Sequence, residues 1–425
     1  MDLAAGYKMT EVGIIPEDWE IKTFKDVFTF LPTNTYARDC MNDVEGEVQN
    51  VHYGDVLIKY GSILDFTQDD IPYFNPSHTK YNVKGQLKDG DIIFADTAED
   101  EAVGKAVEVY AIGSHKAVSG LHTMLCRPKE GLFEPKYLGY FLNSSCYHNQ
   151  LLPLMVGTKV SSVAKSAIID TLILLPPKEE QKKIANAFAG YDNLISSFDK
   201  KIFKKKQIKE GTIQQFLTGK KRLPGFNGEW VEKSLGEVAV VRSGYPFKSE
   251  TYSSLGDFII ITISNVKNGY LCLDDYNKIV SCPDDIQKHQ KLKIGDIVVS
   301  MTGNVGRVCI INKPNCLLNQ RVGLLQPSRL DIVDKDFLFA ILNNKKFEEY
   351  LINKGQGAAQ ANVGNKDIES YVIYLPSSIE EQSAIASLIS DMDSEIQSLE
   401  SERDKYMLIK QGMMQDLLTG KTRLI

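Results

Sequence analysis

One long passage occurs twice in this chain without a gap. Gln214 to Leu223 reads QQFLTGKKRL and Gln415 to Leu424 reads QDLLTGKTRL, while a Glu-Glu-Gln triplet opens each passage at Glu179–Gln181 and Glu380–Gln382. The offset is 201 residues at both ends, so helical phase is preserved throughout and the spacing predicts one long helix used twice. In the second copy Ile385, Leu388, Met392, Ile396, Leu399, Arg403, Tyr406, Lys410, Met413 and Leu417 recur at three- and four-residue steps, a heptad seam. Ile184, Ala187, Tyr191, Ile195, Phe198, Ile202, Lys205, Lys209, Thr212 and Phe216 hold the same register in the first. At a rise of 1.5 Å per residue each passage makes a rod of roughly 50 Å. Gly219 and Gly420 stand where a helix C-cap belongs, with Lys220, Lys221, Lys421 and Arg423 at the negative end of the dipole.

Charge adds a pairing preference. From Lys178 to Arg222 there are twelve basic and five acidic residues, whereas from Glu380 to Arg423 there are five basic and nine acidic. Unlike charge favours pairing of the two helices with each other over self-pairing. A local two-fold relating the copies predicts that they lie antiparallel with a globular domain at each end. The alternative reading of such a seam is a helix buried in an ordinary core.

The repeat continues upstream. Gly90-Asp91-Ile92-Ile93 matches Gly295-Asp296-Ile297-Val298, Val103-Gly104-Lys105 matches Val305-Gly306-Arg307, and Phe141-Leu142-Asn143 matches Ile341-Leu342-Asn343. Gly157, Val163 and Ile168 fall on Gly357, Val363 and Ile368. Trp19 and Val27 match Trp230 and Val238 at an offset of 211. The plan is circular, which predicts that the two termini approach one another. Short apolar runs at Asp91–Ala95, Ile168–Leu175, Phe258–Ile263 and Asp296–Ser300 read as strands, and Lys136–Leu142 and Asp336–Asn343 read as helices. The fold class is therefore α+β: a first globular domain over residues 1–176, a first long helix over 177–223, a second globular domain over 224–376 and a second long helix over 377–425.

At 425 residues the chain has room for two or three cored domains. No apolar run is long enough to span a bilayer and no leader pattern opens the chain, so a cytoplasmic protein without a membrane partner is expected. Seven scattered cysteines without a C-x-x-C read as reduced thiols. The six histidines form no metal-ligand spacing, so no metal is expected. Gly420-Lys421-Thr422 lacks the earlier glycine of a phosphate-binding loop, and Gly355-Gln356-Gly357 lacks the third glycine of a dinucleotide fingerprint. No catalytic constellation emerges, so the chain reads as a non-enzyme carrying no cofactor of its own.

What remains are polar, basic and aromatic residues in expected loops. The first domain offers Asn34, Tyr36, Arg38, His52, Tyr53, Lys59, Tyr60 and Lys80; the second offers Tyr245, Lys248, Asn265, Lys267, Asn304, Arg307, Gln320 and Arg321. Arg, Lys, Asn and Gln supply donors suited to base edges and phosphates. For each one the alternative is a solvated loop side chain. The net charge of −6 argues against an unaided grip on DNA, and it keeps open a coiled-coil scaffold with two protein-binding domains and no DNA contact.

The opening Tyr7-Lys8-Met9-Thr10-Glu11-Val12-Gly13 through Ile15-Pro16-Glu17-Asp18-Trp19, the Leu-Pro followed by Glu-Glu-Gln before each helix, the Leu-Thr-Gly-Lys endings and the Gly-Asp-Ile strands resemble the specificity subunit of type I restriction–modification systems over essentially the whole chain. The resemblance implies two target-recognition domains held apart by a pair of antiparallel coiled-coil helices, each domain reading one half of an asymmetric, split site in double-stranded DNA. It also implies two modification subunits, which bind S-adenosylmethionine and methylate adenine, and ATP-driven restriction subunits. His52-Tyr53-Gly54-Asp55 looks like one kind of recognition domain and Arg242-Ser243-Gly244 with Asn319-Gln320-Arg321 like another, so the half-sites are expected to differ.

Overall fold

A computed structural model describes residues 5–75, 83–100, 102–157, 159–355 and 362–425. Lys80 and Gly357, with most of the 355–360 stretch, lie outside them. The chain divides into two compact units, Met1–Lys200 with Glu400–Ile425, and Lys201–Leu399.

Unit one is built on a five-stranded sheet in the order Phe28–Leu31, Thr123–Pro128, Ile92–Ala95, Ala106–Tyr110, Ile63–Asp65. Its pairs are antiparallel except the last, and Leu125 lies opposite both Ile93 and Leu31. The Gly-Asp-Ile strand is buried on both faces, which is why its sequence shows an unbroken apolar run rather than alternation. Ile92 and Phe94 face one core with Met124 and Cys126, and Ile93 and Ala95 face another with Val107 and Leu125. Unit two repeats the device. Ile297 and Val299 enter one core and Val298 the other, in a sheet ordered Ala239–Ser243, Val322–Pro327, Ile297–Ser300, Val308–Ile310.

A second, four-stranded sheet completes each unit. In unit one it runs Ala117–Ser119, Gln49–Val51, Tyr73–Phe74, Met41–Asn42; in unit two, Asn277–Ile279, Phe258–Ile261, Cys316–Leu318, Lys291–Leu292. The expected helices appear at Tyr137–Leu142 and Lys335–Leu342. The expected strand over Ile168–Leu175 is corrected: Lys165–Ile168 forms a helical turn and only Leu172–Leu175 is a strand, paired with Glu20–Thr23. Thr171 Oγ1 donates to the Ile168 carbonyl and so closes that turn.

The two long helices are α1, Lys178–Phe216, and α2, Ile379–Leu417. Every position of the two heptad seams is buried or half-buried. Their starts are fastened identically. Gln181 Nε2 donates to the carbonyls of Pro176 and Leu132 while Glu134 N–H donates to its Oε1; Gln382 makes the same three bonds with Pro376, Ile332 and Asp334. Their ends match too. Gly219 and Gly420 adopt φ of +67° and +72°, a left-handed turn that a side chain would strain.

Each unit draws on part of both helices. In unit one, Asp192 meets Lys410 at 2.5 Å and Asp199 meets Arg403 at 3.3 Å, while Phe198 stacks on Tyr406 at 5.7 Å. In unit two, Lys205 meets Glu395 at 2.7 Å and Lys209 pairs with Asp393. Within each unit the two segments run in opposite directions, since partners descend on one as they ascend on the other. The overall charge asymmetry accounts for the unit-two pairs; in unit one the acid sits on α1 and the base on α2. Tyr7 hydroxyl donates to the Gly420 carbonyl at 3.1 Å, which brings the Tyr7 region to the end of α2.

Candidate nucleic-acid interface

In unit one the candidates gather around the Gln49–Val51 strand and the short helix Tyr53–Ile58. His52 caps that helix, its Nδ1 accepting from the Gly54 N–H at 3.2 Å, and burial holds its pKa below the ordinary imidazole value. The His52 and Tyr53 rings lie 4.6 Å apart, and Tyr53 meets His122 edge-on at 5.3 Å. Arg38 pairs with Asp55 at 2.5 Å and remains exposed. Asn34 donates to Asn50 Oδ1 at 3.0 Å and to the Ser119 carbonyl at 2.8 Å, and Tyr36 packs edge-on against Phe74. Lys59 is exposed with its ammonium on the Asp70 carbonyl.

In unit two, Tyr245 N–H donates to the Leu318 carbonyl and Gln320 N–H to the Tyr245 carbonyl, at 2.8 and 3.0 Å. This bridge sets Tyr245 beside exposed Gln320 and Arg321, and Met301 N–H donates to the Arg321 carbonyl, bringing in the loop that carries exposed Asn304 and half-buried Arg307. Gly244 permits the approach: a Cβ there would lie 2.1 Å from the Asn319 carbonyl oxygen. Tyr245 hydroxyl donates to Asp285 at 2.8 Å, which raises its pKa. Lys248 is exposed with its ammonium 3.9 Å from Glu250, and Lys267 is half-buried with its N–H on the Tyr270 carbonyl.

Two candidates do not face solvent. Tyr60 is 2% exposed and Asn265 1%. The Asn265 amide donates to the carbonyls of Cys272 and Asp275 and its oxygen accepts from Thr262, so it ties a loop together. Tyr60 hydroxyl donates to the Asp70 carbonyl. Both side chains are buried, and their polar atoms are spent on nearby backbone groups, as buried polar atoms must be.

The structure adds a residue that sequence reading missed. His122 precedes the Thr123–Pro128 strand as Arg321 precedes Val322–Pro327, and each carbonyl accepts the same kind of bond, from Asp96 N–H at 3.1 Å and Met301 N–H at 3.0 Å. Asn34 likewise corresponds to Tyr245: both N–H groups donate to the strand residue just before the turn, Ser119 or Leu318. Each unit therefore presents two scaffold points bearing different chemistry, Asn34 with His122 and Tyr245 with Arg321. His122 sits at φ +53°, a left-handed conformation uncommon outside glycine, with Asp96 and Thr97 each 3.5 Å from its ring nitrogen. The 211-residue offset between the tryptophans, carried forward to Asn34 and Tyr245, was the available signal for that pair.

Among the described residues no group of His, Cys, Asp and Glu is arranged to hold a metal ion, and no helix is long and apolar enough to cross a membrane.

Two α+β units of like topology, each closed by a segment of both long helices, define a tandem-repeat protein. The chain belongs to the type I restriction modification DNA specificity domain family, whose profile matches residues 16–210 and 227–405. It is 28% identical to a putative type I restriction enzyme MjaX specificity subunit of Methanocaldococcus jannaschii, covering 98% of this chain and 96% of the relative. It is 23% identical to the EcoKI specificity subunit of Escherichia coli K12, covering 97% and 90%. In fold it is similar to a type I restriction–modification S subunit from M. genitalium, with a TM-score of 0.59 at 14% identity over 98% of each chain. A chain from a structure of type I restriction–modification complex assembly gives a TM-score of 0.55 at 18% identity, covering 96% of this chain and 99% of that one.

Proposed function

We propose that this chain is the DNA sequence-specificity subunit of a type I restriction–modification complex and reads a bipartite, asymmetric site, one half with each unit. The observation that carries this reading is the repeated scaffold with unlike side chains at matching points, Asn34 and His122 in one unit, Tyr245 and Arg321 in the other. A common frame with different donors and acceptors is what two different half-sites require. The paired helix segments serve as the coiled-coil spacer between the target-recognition domains, here taken as 1–176 and 224–376. Two modification subunits dock on the chain and supply S-adenosylmethionine and adenine methylation, and restriction subunits supply ATP-driven translocation and cleavage.

The chemistry divides sensibly. Methylating a base requires extruding it at a cost of about a few kcal/mol, which flanking recognition offsets. A net charge of −6 suits a subunit whose partners share the phosphate clamp. Methylome sequencing of cells expressing this chain with its modification partner should yield a split motif, and exchanging one recognition domain should change one half alone. Equal affinity for all sequences overturns the reading, and an absence of DNA binding favours the scaffold.

A further inference from the structure

The two copies of the scaffold differ at one cleft. In unit one Tyr140 fills the space between the Tyr137–Leu142 helix and α1. Its hydroxyl donates to Asp192 at 2.7 Å, its ring lies 5.1 Å from that of Phe188, and the Lys410 ammonium stands 5.1 Å over the ring. Lys410 also pairs with Asp192. Asp393, Lys209 and Ile389 occupy the positions of Asp192, Lys410 and Phe188 at the 201 offset, and Lys209 again pairs with Asp393. The position of Tyr140, however, holds Ala340. A cavity of about 460 Å³ lies beside Ala340, lined also by Phe339, Ile389, Ser387, Lys209 and Asp393. Phe339, which stands where unit one has Gly139, forms part of the wall and leaves the space open.

Unit two thus keeps the acceptor for a phenol hydroxyl and the cation for a phenol ring, and lacks the phenol. An aromatic body with a polar tip is the group this mixed wall matches. We propose that the cavity receives a tyrosine side chain from a partner polypeptide, its ring against Phe339 and Ile389 and its hydroxyl on Asp393. Unit one is then self-plugged and unit two is completed in trans, so the two copies, alike in sequence plan, are not equivalent as docking sites. The identity of the partner as a modification subunit rests on the function proposed above; the cavity's preference for a phenol does not.

The test uses the full chain and p-cresol as the probe, with binding and stoichiometry read by calorimetry. The wild type should bind one equivalent. Ala340→Tyr, which copies unit one, should bind none while melting at or above the wild-type temperature, and Ala340→Leu provides a second, smaller plug. Tyr140→Ala should open the equivalent cleft and raise the stoichiometry to two. No saturable binding, or binding indifferent to both Ala340 variants, overturns the proposal. In the partner arm, Ala340→Tyr should weaken association with the modification subunit about tenfold or more, as loss of an aromatic anchor does. A split methylation motif with undiminished association in that variant would sink the docking role and leave the specificity function standing.

Discussion

Arg423 sets its guanidinium flat on Glu180, Nε to Oε1 and Nη2 to Oε2 both at 2.7 Å, across 243 residues of chain. The same guanidinium reaches Asp18, and the Trp19 indole N–H donates to Glu180 at 3.0 Å. One buried carboxylate therefore joins the start of α1, the end of α2 and the tryptophan near the start of the chain. Unit two holds the equivalent pair, Arg222 on Glu381, but there the buried Trp230 indole N–H has no hydrogen-bond partner among the described residues.

Removing either arginine leaves a buried carboxylate without its ionic partner, so Arg423→Ala and Arg222→Ala should each lower stability. Trp19→Phe should cost about 1 kcal/mol more than Trp230→Phe, because only Trp19 surrenders a made hydrogen bond. Chemical denaturation of the four variants checks both. Equal costs for the two tryptophan variants would show that the Trp19–Glu180 bond contributes nothing net.

Glu108 is buried beneath the Tyr137–Leu142 helix, where it accepts the N–H groups of Lys136 and Gly139. Burial outweighs those bonds and raises its pKa from 4.5 to about 7. The folded state therefore holds this proton more tightly than the unfolded state. Its contribution is greatest below about pH 4.5 relative to neutrality and declines as pH rises through 7, a swing of about 3 kcal/mol. Stability measured from pH 5 to 8 should lose that component of its slope in Glu108→Gln. An unchanged slope would place the titrating group elsewhere.

His122 and Arg321 occupy matching scaffold points, so each should govern one half-site. His122→Ala should relax one half of the methylated motif and Arg321→Ala the other, each by about 1–3 kcal/mol of discrimination at one base pair. Gly244→Ala, which drives a Cβ into the Asn319 carbonyl, should disturb the same half as Arg321→Ala and lower the melting temperature as well. Competition binding with half-site variants reads all three. His122→Ala and Arg321→Ala acting on the same half would overturn the assignment.

The long helices were legible because helical phase is a property of sequence spacing alone. The offset of 201 placed α1 and α2, their heptad seams and their glycine ends, and the structure finds helices of equal length in those places. The central strands were legible as apolar runs, although burial on both faces erased the alternation that would have revealed their neighbours. Burial of the candidate residues was not legible. Asn265 and Tyr60 look like surface groups in sequence because a polar atom carries no mark of whether water or a backbone carbonyl satisfies it. His122 was not singled out because its correspondence to Arg321 is positional: the two match only once both strands are registered against their sheets.

By itself, the order of residues determined that this protein would be two versions of one plan, since periodicity and repeat spacing are local and survive without any contact being known. The tertiary structure alone decided how the versions differ. Charges on opposite helices pair with opposite polarity in the two units, and Tyr140 closes a cleft that Ala340 leaves open. Such distinctions depend on distances between groups far apart in the chain, and only folding sets those distances.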